Sequence, residues 1–143
     1  MKKYRPTFAE QDKELERKIN ERFTTKLLSN SKWKKLIDAI VGNISSFKRI
    51  EFKKVVDERI GILNIDESTE YGFDYWNNGF EGHNSLGGWL LFKEIEYLRF
   101  PARFNVNTPI LEQDLFEIKK LINSIGAFEL IDDDDSLSLL CYK

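Results

Sequence analysis

The residues with the most chemical potential stand in two short stretches. The first runs from Trp76 to Trp89 and reads Trp-Asn-Asn-Gly-Phe-Glu-Gly-His-Asn-Ser-Leu-Gly-Gly-Trp. It holds four of the eight glycines, the single histidine and two of the three tryptophans. Glycine lets a backbone turn tightly and approach a ligand closely, and long loops in compact domains often carry function. Trp76, Asn78, Phe80, Glu81, His83 and Trp89 are therefore candidate binding residues. The alternative is a glycine-rich hairpin whose aromatics cover the edge of a core. Phe80 is the residue expected to be exposed and functional, because no strand or helix period demands an apolar side chain between Gly79 and Glu81. Trp76 and Trp89 are expected to anchor the loop ends in the core. The second stretch is Asp132, Asp133, Asp134 and Asp135. Four adjacent carboxylates repel one another, which invites a partner's Lys/Arg patch or a loosely held cation. Otherwise they form a solvated turn.

Several catalytic and metal chemistries fail on spacing. Gly82 and Gly87 have the separation of a phosphate-binding loop, but Gly88 and Trp89 stand where a lysine and a hydroxyl residue are required. Ser85 lacks the flanking glycines of a nucleophile elbow. A hydrolase built on Glu81, His83 and Ser85 is the weakest of the functional readings. One histidine and one cysteine do not make a structural zinc site. The aspartate run lacks the central glycine and distal glutamate of a calcium loop. Cys141 alternates with Leu137 and Leu139 and reads as a core thiol rather than a nucleophile. No catalytic residue, metal or cofactor is assigned.

The elements that must position these stretches follow from hydrophobic period and end signals. Thr7 to Glu10 fits a capping box that opens a first helix with the stripe Phe8, Leu15, Ile19, Phe23 and Leu27. A second helix starts at Asn30 or Ser31, buries Trp33, Leu36, Ile37, Ile40 and Val41, and ends on a left-handed Gly42. Strands are expected over 47–56, 60–65, 71–76 and 89–100, with a turn at 57–59. Asn107-Thr108-Pro109 reads as the cap and first turn of a third helix, closed by Gly126. A hairpin of 128–131 and 137–142 around the acidic turn ends the chain. Strands in a run with helices outside them indicate one α+β domain over residues 1–143, with a largely antiparallel sheet and a flexible tail at 1–6.

The length, 143 residues, suits a single domain that needs no disulfide or metal staple. A lone cysteine, no apolar leader and no apolar run near 18 residues point to the cytoplasm and away from a membrane. Charge is lopsided. Residues 1–59 carry 16 basic against 9 acidic side chains, whereas residues 60–143 carry 6 against 15. The basic segment 26–54 lacks any nucleic-acid motif, and the overall pI is about 5.6, so nucleic acid is the disfavoured partner.

Asn30-Ser31-Lys32-Trp33-Lys34-Lys35-Leu36 resembles the Asn-Thr-Lys-Trp-x-x-Leu opening of a family of small bacterial proteins known only as a domain of unknown function, with Ser31 in place of the threonine. The resemblance implies a bacterial cytosolic protein and no known activity. In character the chain is also similar to bacterial immunity proteins, which are small, acidic and α+β. The expectation is a protein-binding module, an immunity- or antitoxin-like inhibitor acting by occlusion on a partner with a basic surface. The alternative is a regulator that binds a small ligand or nucleic acid. Oligomeric state is not legible.

Overall fold

A computed structural model describes residues 7–72, 74–82, 89–105 and 110–143. The tail 1–6, His83, Ser85 and the Asn107-Thr108-Pro109 signal lie outside the described residues. The architecture is α+β with an antiparallel main sheet. Helix α1 spans Phe8–Arg22, α2 spans Asn30–Gly42 and α3 spans Leu115–Ile125. Among the described residues the main sheet has six strands in the order β4-β2-β1-β6-β10-β9. They are β1 (Ile50–Lys54), β2 (Asp57–Leu63), β4 (Phe80–Glu81), β6 (Ile95–Pro101), β9 (Leu130–Asp132) and β10 (Ser136–Leu140). Two small ladders stand beside it: β3 (Tyr75–Trp76) with β5 (Leu90–Leu91), and β7 (Arg103–Asn105) with β8 (Ile110–Glu112).

Helix α1 starts as expected, with the Thr7 hydroxyl accepting from the Glu10 amide. It ends before Phe23 and Leu27, because the backbone of 24–27 has other partners. The Thr24 and Thr25 amides donate to the Lys143 carbonyl and the Leu27 amide to that of Cys141. The linker is thus paired to the chain's last residues. Lys93 also ties α1 to the sheet, meeting Asp12 at 2.5 Å and Glu16 at 3.0 Å.

Helix α2 is capped by Ser29, one residue before the expected caps, and buries Trp33, Leu36, Ile37 and Ile40. Gly42 is its last residue and is not left-handed; the Asn43 side chain closes the helix by donating to the Ala39 carbonyl. The third helix departs most from expectation. Asp114, not the 107–109 segment, is its N-cap, and Ile110 to Glu112 pair with β7 instead. Gly126 ends it in an extended conformation.

Among the strands, the β1–β2 turn falls at 55–56 rather than 57–59. Asp57 belongs to β2 and accepts from the Arg59 amide and guanidinium. The long strand expected over 89–100 is broken by a 3-10 turn at Phe92–Glu94, because the Glu94 carboxylate accepts the Leu91 amide at 2.8 Å. Of the strand expected over 71–76, only Tyr75–Trp76 form β3, with an isolated bridge from Tyr71 to Trp76. The C-terminal hairpin forms as expected, with Leu137 opposite Asp132.

Helices α1, α2 and α3 pack their apolar stripes on one face of the sheet, in a single cluster with Ile50, Phe52, Leu98, Phe100, Leu137 and Leu139; Phe8, expected in the α1 stripe, is 50% exposed and stays outside it. The other face carries the alternate residues. One cross-strand row there reads Glu81, Ile62, Glu51, Arg99, Ser138, Ile131, from one edge to the other.

Candidate functional site

The outer face is where the sheet meets solvent. Its charges fall into two groups. The first is committed to the fold. Glu51 lies between Arg49 at 2.8 Å and Arg99 at 2.5 Å, and Arg49 also covers the Phe104 ring of the β7–β8 hairpin. At the far end of β1, the register of both flanking strands slips between Lys53 and Lys54. Such a bulge re-aims side chains. Here Lys53 and Arg22 both meet Glu96 at 2.9 Å, and buried Lys54 meets buried Glu94 at 3.3 Å. Three of the eight cations in the basic segment 26–54, Arg49, Lys53 and Lys54, are thus neutralised inside the molecule.

The second group is uncommitted and surrounds an open cleft of about 450 Å³ between the β2–β4 edge and the β7 hairpin. Its walls include Lys48, Arg49, Ile62, Asn64, Glu81, Phe104 and Asn105. Gln113 fixes one rim. Its carbonyl oxygen accepts the Lys48 and Arg49 amides, and its NH2 donates to the Arg49 and Pro101 carbonyls. The other rim rests on Asn64, whose amide donates to the Gly79 carbonyl and whose carbonyl accepts the Trp76 indole. A side chain at Gly79 would meet the Asn64 side-chain Nδ2 at 2.7 Å, so glycine there leaves room for the Asn64 carboxamide. Gly82, at φ 95°, lies against the Gly61 backbone, which is the close approach expected of a glycine in this stretch.

The aromatic expectations for the 76–89 stretch reverse at two of its three positions. Trp76 is buried, as expected. Phe80 is not an exposed tip: it pairs with Leu63 in the sheet and packs edge-on against Phe52. Trp89 is not a core anchor: it is 55% exposed and rests on Tyr75 with ring centroids 4.7 Å apart. At Phe80 the cause is register, since its ring faces the helices and Glu81, one residue on, must face out. Asn78 is occupied locally, donating to the Thr69 hydroxyl and accepting the Gly79 amide.

The acidic turn is less uniform than its sequence. Asp132 points to the helix side of the sheet and meets Lys119 of α3 at 2.5 Å, so one of the four charges has its cation within the fold. The Asp133 carboxylate accepts the Asp134 amide, and the Asp135 carbonyl accepts the Ala102 amide. The structure does not gather the nominated residues into one patch. Glu81 and Asp132 lie on opposite edge strands, five strand spacings or about 24 Å apart.

Cys141 is buried, and loss of hydration, with nearby Glu96 adding to it, pushes its thiol far up. It is a core residue, as read from the sequence. Among the described residues, no group of three or more His, Cys, Asp or Glu is placed to hold a metal ion, and no helix is long and apolar enough to cross a membrane. Compared with known proteins, the chain matches no family model, no curated protein and no solved structure. Sequence reasoning missed Lys48, Asn64, Phe104 and Asn105.

Proposed function

We propose that this protein is a protein-binding module, in the specific form of an immunity- or antitoxin-like inhibitor that acts by occluding its partner's working surface. The observation that carries this reading is Trp89. A large aromatic held against Tyr75 yet more than half exposed is the side chain that dominates interface energetics when a partner covers it. The exposed carboxylates of Asp133, Asp134 and Asp135 favour a partner with a basic surface, since complementary charge speeds encounter. The small size and the acidic balance agree with this reading.

The test is co-purification with the product of the adjacent gene, followed by measured affinity. Trp89→Ala is expected to weaken binding at least about tenfold while the melting temperature stays within about a degree or two. Binding that ignores Trp89→Ala would remove the residue that carries the proposal.

A further inference from the structure

The open cleft beside β4 differs from the rest of the outer face in one respect. Elsewhere on that face the charged side chains described above are consumed by ion pairs within the fold. In the cleft, among the described residues, neither the Lys48 ammonium nor the Glu81 carboxylate closes an ion pair, and the Asn64 and Asn105 carboxamides make no hydrogen bond. Arg49, the other cation present, is held by Glu51 and Phe104. The uncommitted set is therefore one cation, one anion and two neutral amides.

All four side chains stand on anchored or paired backbone. Gln113 accepts the Lys48 amide, Gly79 and Trp76 bracket Asn64, and strand pairing holds Glu81 opposite Ile62 and Asn105 opposite Ile110. Anchored backbone removes the main-chain part of the ordering cost, while the exposed Lys48 and Glu81 side chains still lose rotamer freedom when a ligand arrives. Lys48 lies three residues beyond the Glu51 level of β1, and Glu81 lies two strands to the side at that level. Strand rise and spacing put their backbones roughly 14 Å apart. That is too far for the two to neutralise each other readily, and near enough for one small molecule to meet both. Ile62 and Phe104 supply an apolar floor between them.

We infer that this cleft binds a small zwitterion with an apolar body, a free apolar amino acid or dipeptide, with Lys48 receiving its carboxylate and Glu81 its ammonium. Asn64 and Asn105 add hydrogen bonds, and the side chain of the ligand lies on Ile62 and Phe104. The cleft volume falls within the range of small-molecule sites. This inference is independent of the protein-binding proposal, since it uses neither Trp89 nor the acidic turn.

The experiment is an amide-resolved NMR titration of the full chain with leucine and with Leu-Leu, each taken to about 10 mM, the weak end of specific affinity. Saturable shifts are expected at Lys48, Ile62, Asn64, Glu81 and Asn105. The tighter of the two zwitterions sets the ligand length. Leucinamide, which lacks the carboxylate, and N-acetylleucine, which lacks the ammonium, are each expected to bind at least about tenfold more weakly. Lys48→Met should abolish the preference for leucine over leucinamide, and Glu81→Gln the preference over N-acetylleucine. Both residues are exposed, so the variants should retain the wild-type spectrum elsewhere. The inference is overturned if neither zwitterion gives saturable shifts in the cleft, or if the blocked compounds bind as well as the free ones.

Discussion

The two ends of strand β1 treat charge in opposite ways. At the Lys54 end, two lysines, two glutamates and Arg22 are drawn together at a double register slip and largely withdrawn from water. At the Ile50 end, Arg49 is held by Glu51 and Phe104, but Lys48 beside it faces an open cleft with no ion pair among the described residues. The difference teaches that charged sequence is not itself a binding signal. In Lys48-Arg49-Ile50-Glu51-Phe52-Lys53-Lys54, four of the five charges are structural. Charge is available to a partner only where the fold leaves it without a counter-ion.

The sharpest way to break this comparison is at the sealed end. Lys54→Met should strand the buried Glu94 carboxylate and cost about 3–5 kcal/mol in urea unfolding, because removing one member of a buried pair leaves the other uncompensated. Adding Glu94→Gln should recover much of that loss, since a neutral amide still accepts the Leu91 N–H. Equal instability of the single and double variants would mean that packing, not charge, holds this end.

At the open end the corresponding fixture is neutral. Gln113 is buried and satisfies four backbone groups with one side chain. Gln113→Leu fills similar space and satisfies none of them, so a loss of about 2–3 kcal/mol is expected. Hydrogen exchange should rise first at Lys48 and Arg49. A loss below about 0.5 kcal/mol would show that water replaces the amide and that the cleft rim is not preorganised.

The chain declared some of this in advance. Thr7 announced the first helix, alternation of Leu137, Leu139 and Cys141 announced a core strand, and the acidic run announced the hairpin turn. These are local signals, settled within a few residues. The failures are non-local. Asn107-Thr108-Pro109 is a sound helix start by local chemistry, but the strand β8 that follows it pairs with β7 and defers the helix to Asp114. The counter-ions of Lys53 and Lys54 come from Glu96 and Glu94, some forty residues on. In the candidate site, Glu81 was legible as a polar residue of a glycine-rich stretch. Lys48 and Phe104 were not, because only the β7 hairpin folding over Arg49 makes them neighbours. That Phe80 faces the core is a one-residue matter of strand register, which no period could fix in a two-residue strand.

The exchange of roles between Phe80 and Trp89 gives a third prediction. Phe80→Ala removes a ring packed against Phe52 and should cost about 2 kcal/mol. Trp89→Ala removes an exposed ring and should cost less than about 0.5 kcal/mol. Thermal melts of the two variants side by side decide it, and the reverse order would return Trp89 to the core.

The smallest effect is expected at the acidic turn, and it separates the bound charge from the free ones. Asp132 and Lys119 form an ion pair with side chains 64% and 39% exposed, respectively. Exposed pairs of this kind contribute about 0–1 kcal/mol, because water screens the attraction and ordering two side chains costs entropy. Asp132→Asn should therefore lower stability by no more than about 1 kcal/mol, and the loss should vanish near 1 M salt, where the screening length falls to about 3 Å. Asp134→Asn should behave differently. No ion pair reaches Asp134 among the described residues, so removing its charge relieves repulsion within the turn and should leave stability unchanged or slightly raised. Urea midpoints of both variants at low and high salt check the pair of statements. If both variants lose stability alike, Lys119 is neutralised by the turn as a whole, and fewer free carboxylates remain for a basic partner than the sequence suggests.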